Sequence, residues 1–219
     1  MICFIGSILD NLNRKNVIIC GAGFQKESAT IKIKPAIVIA VRGPLSRGVL
    51  IKNKVECPEV YGDPAILLPF YFKKKKQKKL WDVGVIAHYS DKQILDKLPV
   101  LTSGYSYKVI NVNSPVERVI DEICSSKFIL SSSLHGIITA HSYGVPATWI
   151  KISENVIGGS FKFNDYAFSV NNFPLACYQV GKSLDLKKGV ELSMLFDLNE
   201  MACALNNALK KYFGAKIGS

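Results

Sequence analysis

Short apolar runs alternate with segments of helical spacing through the second half of the chain, and this alternation constrains the fold most strongly. It predicts strands at 83–87, 108–112, 127–130 and 147–150, with helices at 91–98, 116–124 and 134–143 between them. Such alternation is typical of a parallel sheet with helices on both faces. The first half is shorter, with strands predicted at 17–20 and 36–41 and a helix at 44–51. The sequence therefore predicts an α/β protein with two Rossmann-like halves, of which the N-terminal one is shortened.

A run with six lysines, Lys73 to Lys79, divides the chain and contributes much of its net charge of +11. It defines an N-terminal half at 1–72, a basic linker at 73–79, a C-terminal half at 80–189 and a closing helix at 190–219. We weigh a solvated linker against an anionic membrane surface, beside which each lysine gains on the order of 1 kcal/mol. Nucleic acid is not expected, because no aromatic residue interrupts the run and no recognition motif accompanies it.

The cysteine pattern and the hydropathy exclude several classes of protein. The six cysteines are scattered without a Cys-x-x-Cys pair, so neither a disulfide framework nor a metal site is expected. No apolar run reaches the ~18 residues that a membrane-spanning helix requires. The first residues lack the basic flank and cleavage site of a signal peptide, so we expect a cytoplasmic protein.

A serine-rich turn is the strongest candidate for a functional site. It follows the strand at 127–130, opens the next helix, and holds Ser131, Ser132, Ser133 and His135. In an open α/β sheet, the carboxyl ends of strands and the N-termini of the following helices line the ligand crevice and favour anions. We therefore expect His135 to meet substrate, whereas His141 lies on another face of the helix and suits packing or the surface.

Three other positions can contribute to a site. Arg42 is predicted to end a strand, with Gly43 giving backbone freedom and Pro44 suited to the first helical turn. The Arg42 guanidinium can bind a carboxylate or phosphate of a ligand, or it can form a structural ion pair. Asp63 can act as a base or satisfy turn amides, and we favour the turn. His88 occupies a strand end equivalent to that of His135 and can hold substrate or lie on the surface.

The chain resembles the polysaccharide pyruvyltransferase family over roughly residues 5 to 170, through motifs that occur in the family's order. They are Val-Arg-Gly-Pro-Leu-Ser-Arg, Gly-Asp-Pro-Ala-Ile-Leu-Leu, Val-Gly-Val-Ile-Ala-His, Ser-Ser-Ser-Leu-His-Gly-Ile-Ile-Thr-Ala-His-Ser-Tyr-Gly-Val-Pro and Lys-Phe-Asn-Asp-Tyr. The resemblance implies a fold like that of B-type glycosyltransferases, with the site in a cleft between two Rossmann-like halves. It also implies transfer of pyruvate from phosphoenolpyruvate, as a ketal, onto a sugar of a cell-surface polysaccharide or its precursor, such as a lipid-linked sugar.

The resemblance also implies roles for individual residues. The general acid would be His135, with Asp63 as a second catalytic candidate. The remaining expected residues would bind donor or substrate, in part by capping the helix: Arg42, His88, Ser132, Ser133, Leu134 and Lys162. Neither a metal nor a cofactor other than the donor is implied.

Two departures from the family keep other functions open. The family has Arg-Leu-His where this chain has Ser133-Leu134-His135, and the N-terminal half is short. A serine can hydrogen-bond an anion but cannot neutralise it. The alternatives are a glycosyltransferase that uses a nucleotide sugar and a truncated, non-catalytic carbohydrate-binding relative.

Overall fold

The computed structural model describes residues 1–74, 77–170 and 173–217. Its strands are β1 (Ile2–Cys3), β2 (Ile18–Cys20), β3 (Ile37–Ala40), β4 (Trp81–Ile86), β5 (Val100–Leu101), β6 (Tyr107–Val109), β7 (Ser126–Ser131), β8 (Ala147–Lys151), β9 (Cys177–Gln179) and β10 (Leu184–Asp185). Its α-helices are α1 (Pro44–Lys52), α2 (Leu68–Tyr71), α3 (Lys92–Leu95), α4 (Val116–Cys124), α5 (Leu134–Ser142), α6 (Phe161–Val170), α7 (Leu186–Glu191) and α8 (Asn199–Ile217).

The chain forms two compact units, and each is discontinuous in sequence. Unit 1 contains Met1–Leu67, Gly158–Leu175 and the segment from Leu198 onward, whereas unit 2 contains Leu68–Ile157 and Ala176–Asp197. These units differ from the expected halves at 1–72 and 80–189, because the segment with α6 packs with the N-terminal residues. Hydrophobic spacing along the chain carries no information about such an exchange of segments.

Unit 1 is built on a three-stranded parallel sheet in the order β1-β2-β3. Apolar side chains in and just before β2 and in α1 form much of its core, with Val17, Ile19, Val49 and Leu50 at most 2% exposed. Helix α1 begins at Pro44, as predicted, and proline suits this position because its missing N–H has no partner in a first helical turn.

Unit 2 is built on a five-stranded parallel sheet in the order β6-β4-β7-β8-β9. Helix α4 connects β6 to β7, and α5 connects β7 to its neighbour β8, so the predicted alternation and the α/β class with parallel sheets are confirmed. Its core includes Val83, Val85, Leu130 and Ile150, all at most 1% exposed. Strands β5 and β10 form a separate two-stranded parallel ladder.

The predicted closing helix at 190–219 begins too early. Helix α8 starts at Asn199, and residues 190–197 belong to unit 2. Met194 exchanges backbone hydrogen bonds with Ala147 in an antiparallel bridge, which is incompatible with a helix there. Leu192 and Leu195, which lie within the predicted helix, are 36% and 50% exposed.

The lysine run is attached to unit 2 at several points. Lys74 forms an ion pair with Asp121 at 2.7 Å, and the Lys79 ammonium donates to the carbonyls of Cys124 and Ser126. Lys75 and Lys76 lie outside the described residues. The described part of the run is therefore bound to the end of α4 and the start of β7, which differs from a fully solvated linker.

None of the described helices combines sufficient length with sufficient apolar character to span a membrane.

Candidate functional site

The strand order of unit 2 identifies one edge of its sheet as the place for a ligand. Numbered along the chain, the five strands have the order 2-1-3-4-5, which is that of a doubly wound sheet. In such sheets ligands bind outside the carboxyl ends of the strands, where the strand order reverses. Here that point lies at β4 and β7, so the loops that follow these two strands form the candidate site.

Ser132 joins the two loops. The backbone N–H of His88, after β4, donates to the Ser132 hydroxyl oxygen at 2.9 Å, and the Ser132 N–H donates to the Ile86 carbonyl at 3.0 Å. The ring of His88 is half-buried, and its Nδ1 lies 2.7 Å from the Ser90 hydroxyl. The structure thus brings together the His88 backbone and the serine-rich turn.

The predicted helix cap by Ser132 and Ser133 is wrong. Ser133 occupies the N-cap position of α5, but its side chain makes no capping hydrogen bond. Instead, the Ser131 hydroxyl donates to the Ser133 carbonyl at 2.8 Å and accepts from the Ser133 N–H at 3.0 Å. Ser131 therefore fixes the turn, since its hydroxyl satisfies both backbone groups of Ser133.

His135 lies in the first turn of α5, immediately after Leu134. It is half-buried, as are Ser133 before it and Thr139 one turn later, whereas most of the remaining helix is buried. The first turn of a helix favours negative charge because its backbone N–H groups point outward from the helix end. His135 and Ser133 are thus placed at an anion-favouring helix end with partly accessible side chains.

His141 serves the core of unit 2, in agreement with the packing interpretation. Its Nε2 lies 2.9 Å from the Met194 carbonyl, and its ring centroid lies 4.8 Å from that of Phe196. Burial lowers the pKa of His141 to about 4, against the opposing effect of the Met194 carbonyl. The imidazole is therefore neutral near neutral pH.

Asp91 and Ser153 are polar residues at this edge that sequence reasoning missed. The Ser153 hydroxyl donates to Asp91 Oδ1 at 2.5 Å, which links the loop after β4 to the loop after β8. Asp91 is fully buried, and its Oδ2 has no hydrogen-bond partner among the described residues. The one sequence signal for Asp91 is its position three residues after His88, in the loop that follows a predicted strand.

Arg42 lies in unit 1 and is fully buried. Its Nε donates to Asp165 at 2.9 Å, and its terminal nitrogens donate to the Ser7 hydroxyl and the Phe24 carbonyl, each at 2.6 Å. Asp165 also accepts from the backbone N–H and hydroxyl of Ser46. The structure therefore shows Arg42 in a structural ion pair, the alternative left open by the sequence, and not in contact with solvent.

Gly43 follows Arg42 in an extended conformation, with φ −167° and ψ −178°, which any residue can adopt. The expected need for backbone freedom is therefore wrong. A Cβ atom at Gly43 would lie 1.8 Å from the Asp165 carbonyl oxygen. Glycine is required here because α1 and α6 approach too closely for a side chain.

Asp63 and Lys162 also lie in unit 1. Asp63 is fully buried, and its carboxylate accepts from the Ala65 N–H at 3.0 Å at the start of a 3-10 turn, which is the turn role favoured above. Lys162 is 7% exposed, and its ammonium lies 5.5 Å from the ring centroid of Phe163. Burial, with a smaller contribution from Asp63, raises the pKa of the neighbouring Tyr166.

Within the described ranges, no three histidine, cysteine, aspartate or glutamate side chains form a group that could hold a metal ion. The predicted site residues divide into hydroxyl and imidazole groups at one edge of unit 2 and three buried charged residues, Arg42, Asp63 and Lys162, in unit 1.

Comparison with known proteins gives the family. The chain is 36% identical over 172 residues to an uncharacterised protein of Acanthamoeba polyphaga mimivirus, covering 74% of this chain and 58% of the relative. It is 26% identical over 163 residues to the succinoglycan biosynthesis protein ExoV of Rhizobium meliloti, covering 74% and 49%. The chain spans about half the length of the curated relatives it matches. The polysaccharide pyruvyl transferase model matches residues 3–154, and the chain therefore belongs to this family.

Proposed function

We propose that this protein transfers pyruvate from phosphoenolpyruvate, as a ketal, onto a sugar of a surface polysaccharide or its precursor. The observation that carries the proposal is the family match over residues 3–154, which includes the turn with His135. The similarity to a protein named for succinoglycan biosynthesis supports a polysaccharide as the destination of the pyruvate. We also propose that unit 2 is the donor-binding half of an enzyme with an architecture like that of B-type glycosyltransferases.

The proposed reaction makes definite demands on the site. Two sugar hydroxyl oxygens form bonds to C2 of phosphoenolpyruvate, the bond from C2 to the phosphate oxygen breaks, and the methylene carbon gains a proton to become a methyl group. Of the two hydroxyl protons, one replaces the proton delivered to carbon and the other leaves with the phosphate. The site must therefore bind a carboxylate and a phosphate and move a proton.

The described edge of unit 2 offers groups for these tasks. We assign His135 as the proton donor to the methylene carbon, because a histidine can donate and accept protons near neutral pH. We assign anion binding to Ser132, Ser133 and the first-turn amides of α5, which favour negative charge. His88, whose loop is tied to Ser132, is assigned to substrate binding.

One observation favours a second candidate, a glycosyltransferase that uses a nucleotide sugar. The loops at 87–91 and 131–135 contain no lysine or arginine, so the cation expected at position 133 is replaced by a hydroxyl. A donor with charge less concentrated than that of phosphoenolpyruvate would need fewer cations at this edge.

Ligand binding separates the two candidates. Isothermal titration should show that phosphoenolpyruvate binds and that a nucleoside diphosphate does not. Ser133→Arg should strengthen phosphoenolpyruvate binding about tenfold or more, since a charged hydrogen bond contributes about 1.5–3 kcal/mol. The control Thr102→Arg adds the same charge at an exposed position of unit 2 and should leave binding unchanged. Binding of the nucleoside diphosphate alone would support the glycosyltransferase and contradict pyruvyl transfer.

A further inference from the structure

We propose that unit 2 docks on an anionic membrane face through a surface formed by Phe70, Tyr71, Lys73, Lys78 and Leu80. We call these five residues the basic-aromatic surface. The inference rests on their exposure, charge and attachment to unit 2, and it does not depend on the reaction proposed above.

The chain on both sides of the lysines is fixed to unit 2. On the N-terminal side, the Tyr143 hydroxyl, just beyond α5, donates to the Phe72 carbonyl at 2.9 Å. On the C-terminal side, the Leu80 N–H donates to the Ser125 carbonyl at 2.8 Å, beside the contacts of Lys79. The basic-aromatic surface is therefore presented by a folded unit and is not carried on a free tether.

Large apolar side chains beside the lysines are exposed. Phe70, Tyr71 and Leu80 are 51%, 75% and 61% exposed, and α2 has no buried residue. Exposed apolar side chains grouped at one place indicate an interaction surface more strongly than scattered ones. Aromatic side chains are enriched at the level of lipid headgroups, where an apolar ring and a polar group are both accommodated.

The basic-aromatic surface carries positive charge that is suited to an anionic membrane. Lys73 and Lys78 are exposed, and six of the seven residues at 73–79 are lysines, whereas Asp121 is paired with Lys74. Polybasic segments gain on the order of 1 kcal/mol per residue at an anionic lipid surface. Basic residues combined with neighbouring apolar ones supply the two signals that stable peripheral binding needs. This combination favours a membrane over nucleic acid.

The basic-aromatic surface has a defined position within unit 2. Its anchors lie at the start of β7 and at the end of α5, whereas His135 lies at the beginning of α5. Eight residues of helix separate His135 from Tyr143, a rise of about 12 Å. Docking through the basic-aromatic surface therefore leaves the candidate edge of unit 2 uncovered.

Vesicle co-sedimentation tests the proposal on the full chain. Binding is expected to phosphatidylcholine vesicles that contain phosphatidylglycerol and not to pure phosphatidylcholine. Lys73→Gln with Lys78→Gln should weaken binding about tenfold or more, because each lysine contributes roughly fivefold. Phe70→Ser with Tyr71→Ser should also weaken binding. The binding that remains should be more sensitive to salt, because it depends on charge alone.

The matched control is Lys182→Gln with Lys187→Gln, which removes the same charge from other exposed positions of unit 2. It should change binding less than twofold. The proposal is overturned if the wild type does not sediment with anionic vesicles, or if the control weakens binding as much as the Lys73 and Lys78 changes. Competition by single-stranded RNA at lower concentrations than the vesicles would also overturn it, in favour of nucleic acid. Circular dichroism confirms that each variant is folded.

Discussion

At the scale of single residues, burial decides between roles that the sequence leaves open. Arg42 stands at a strand end, where a guanidinium can meet an anionic ligand, and the sequence offers no means of separating this role from an ion pair. The partner, Asp165, lies 123 residues away in the chain, so no local pattern identifies it. The positions of His88 and His135 shortly after β4 and β7 were predictable, because an apolar run precedes each of them. The hydrogen bonds of Ser131 were not, since three successive serines are equivalent in sequence.

Arg42→Ala is expected to destabilise unit 1. Removing one partner of a buried ion pair leaves an uncompensated charge on Asp165 and costs about 3–5 kcal/mol. Chemical denaturation followed by far-ultraviolet circular dichroism measures the change. The control Arg47→Ala breaks a pair whose Glu59 side chain is 72% exposed and should cost about 1 kcal/mol or less. Equal stability of the Arg42 variant and wild type would show that the buried ion pair is not structural.

At the scale of elements, strands were predicted better than connections. The runs that became β4, β7 and β8 are apolar because these strands are buried on both faces. The predicted start of the closing helix was wrong, because the bridge of Met194 with Ala147 is a tertiary contact that overrides helical spacing. The close approach of α1 to α6 at Gly43 could not be predicted from the sequence. A glycine in a sequence does not show whether it is required for its backbone conformation or for the lack of space for a side chain.

Two glycine substitutions in and beside α1 should have opposite effects. Gly43→Ala places a methyl group 1.8 Å from the Asp165 carbonyl oxygen, so α1 and α6 must separate, at a cost of about 1–3 kcal/mol or more. Gly48→Ala meets no atom within 4 Å and should stabilise the helix by up to about 1 kcal/mol. Thermal denaturation compares the two. A Gly43 variant as stable as wild type would contradict the close approach.

At the scale of the whole molecule, each unit is assembled from separated segments, which the sequence did not indicate. The α/β class followed from the alternation of strands and helices, but the assignment of α6 to unit 1 depends on contacts such as those of Asp165 with Ser46. The core of unit 2 also contains a titratable residue, His141. Because this residue is buried, the free energy of unfolding of unit 2 depends on pH.

Unit 2 is expected to lose stability as the pH falls from about 6.5 to about 4. His141 has a pKa lowered to about 4 by burial, so in this range the unfolded chain binds a proton that the folded chain does not. Over this whole pH range, the pKa shift of His141 lowers the free energy of unfolding by about 3 kcal/mol. Both tryptophans, Trp81 and Trp149, lie in unit 2, so denaturation followed by tryptophan fluorescence reports on this unit.

The control for this prediction is His141→Gln, which has no charge to gain. The loss of stability between pH 6.5 and 4 should be smaller in this variant than in wild type. Asp82 has a pKa lowered to about 2 by Lys127 and Ser106, so its stabilising contribution is lost only below about pH 4 and does not overlap. Identical pH profiles for wild type and variant would exclude His141 as the cause.

Pyruvyl transfer is tested most directly by an assay in which phosphoenolpyruvate is varied against a panel of sugar acceptors, each acceptor at saturating concentration. Wild-type protein should release phosphate only with a suitable acceptor, whose mass should rise by that of pyruvate less one water. His135→Ala should lower kcat/KM at least about a hundredfold, the lower range for a lost general acid. His141→Gln, on the same helix, should retain activity at neutral pH. Undiminished transfer by the His135 variant would contradict the account.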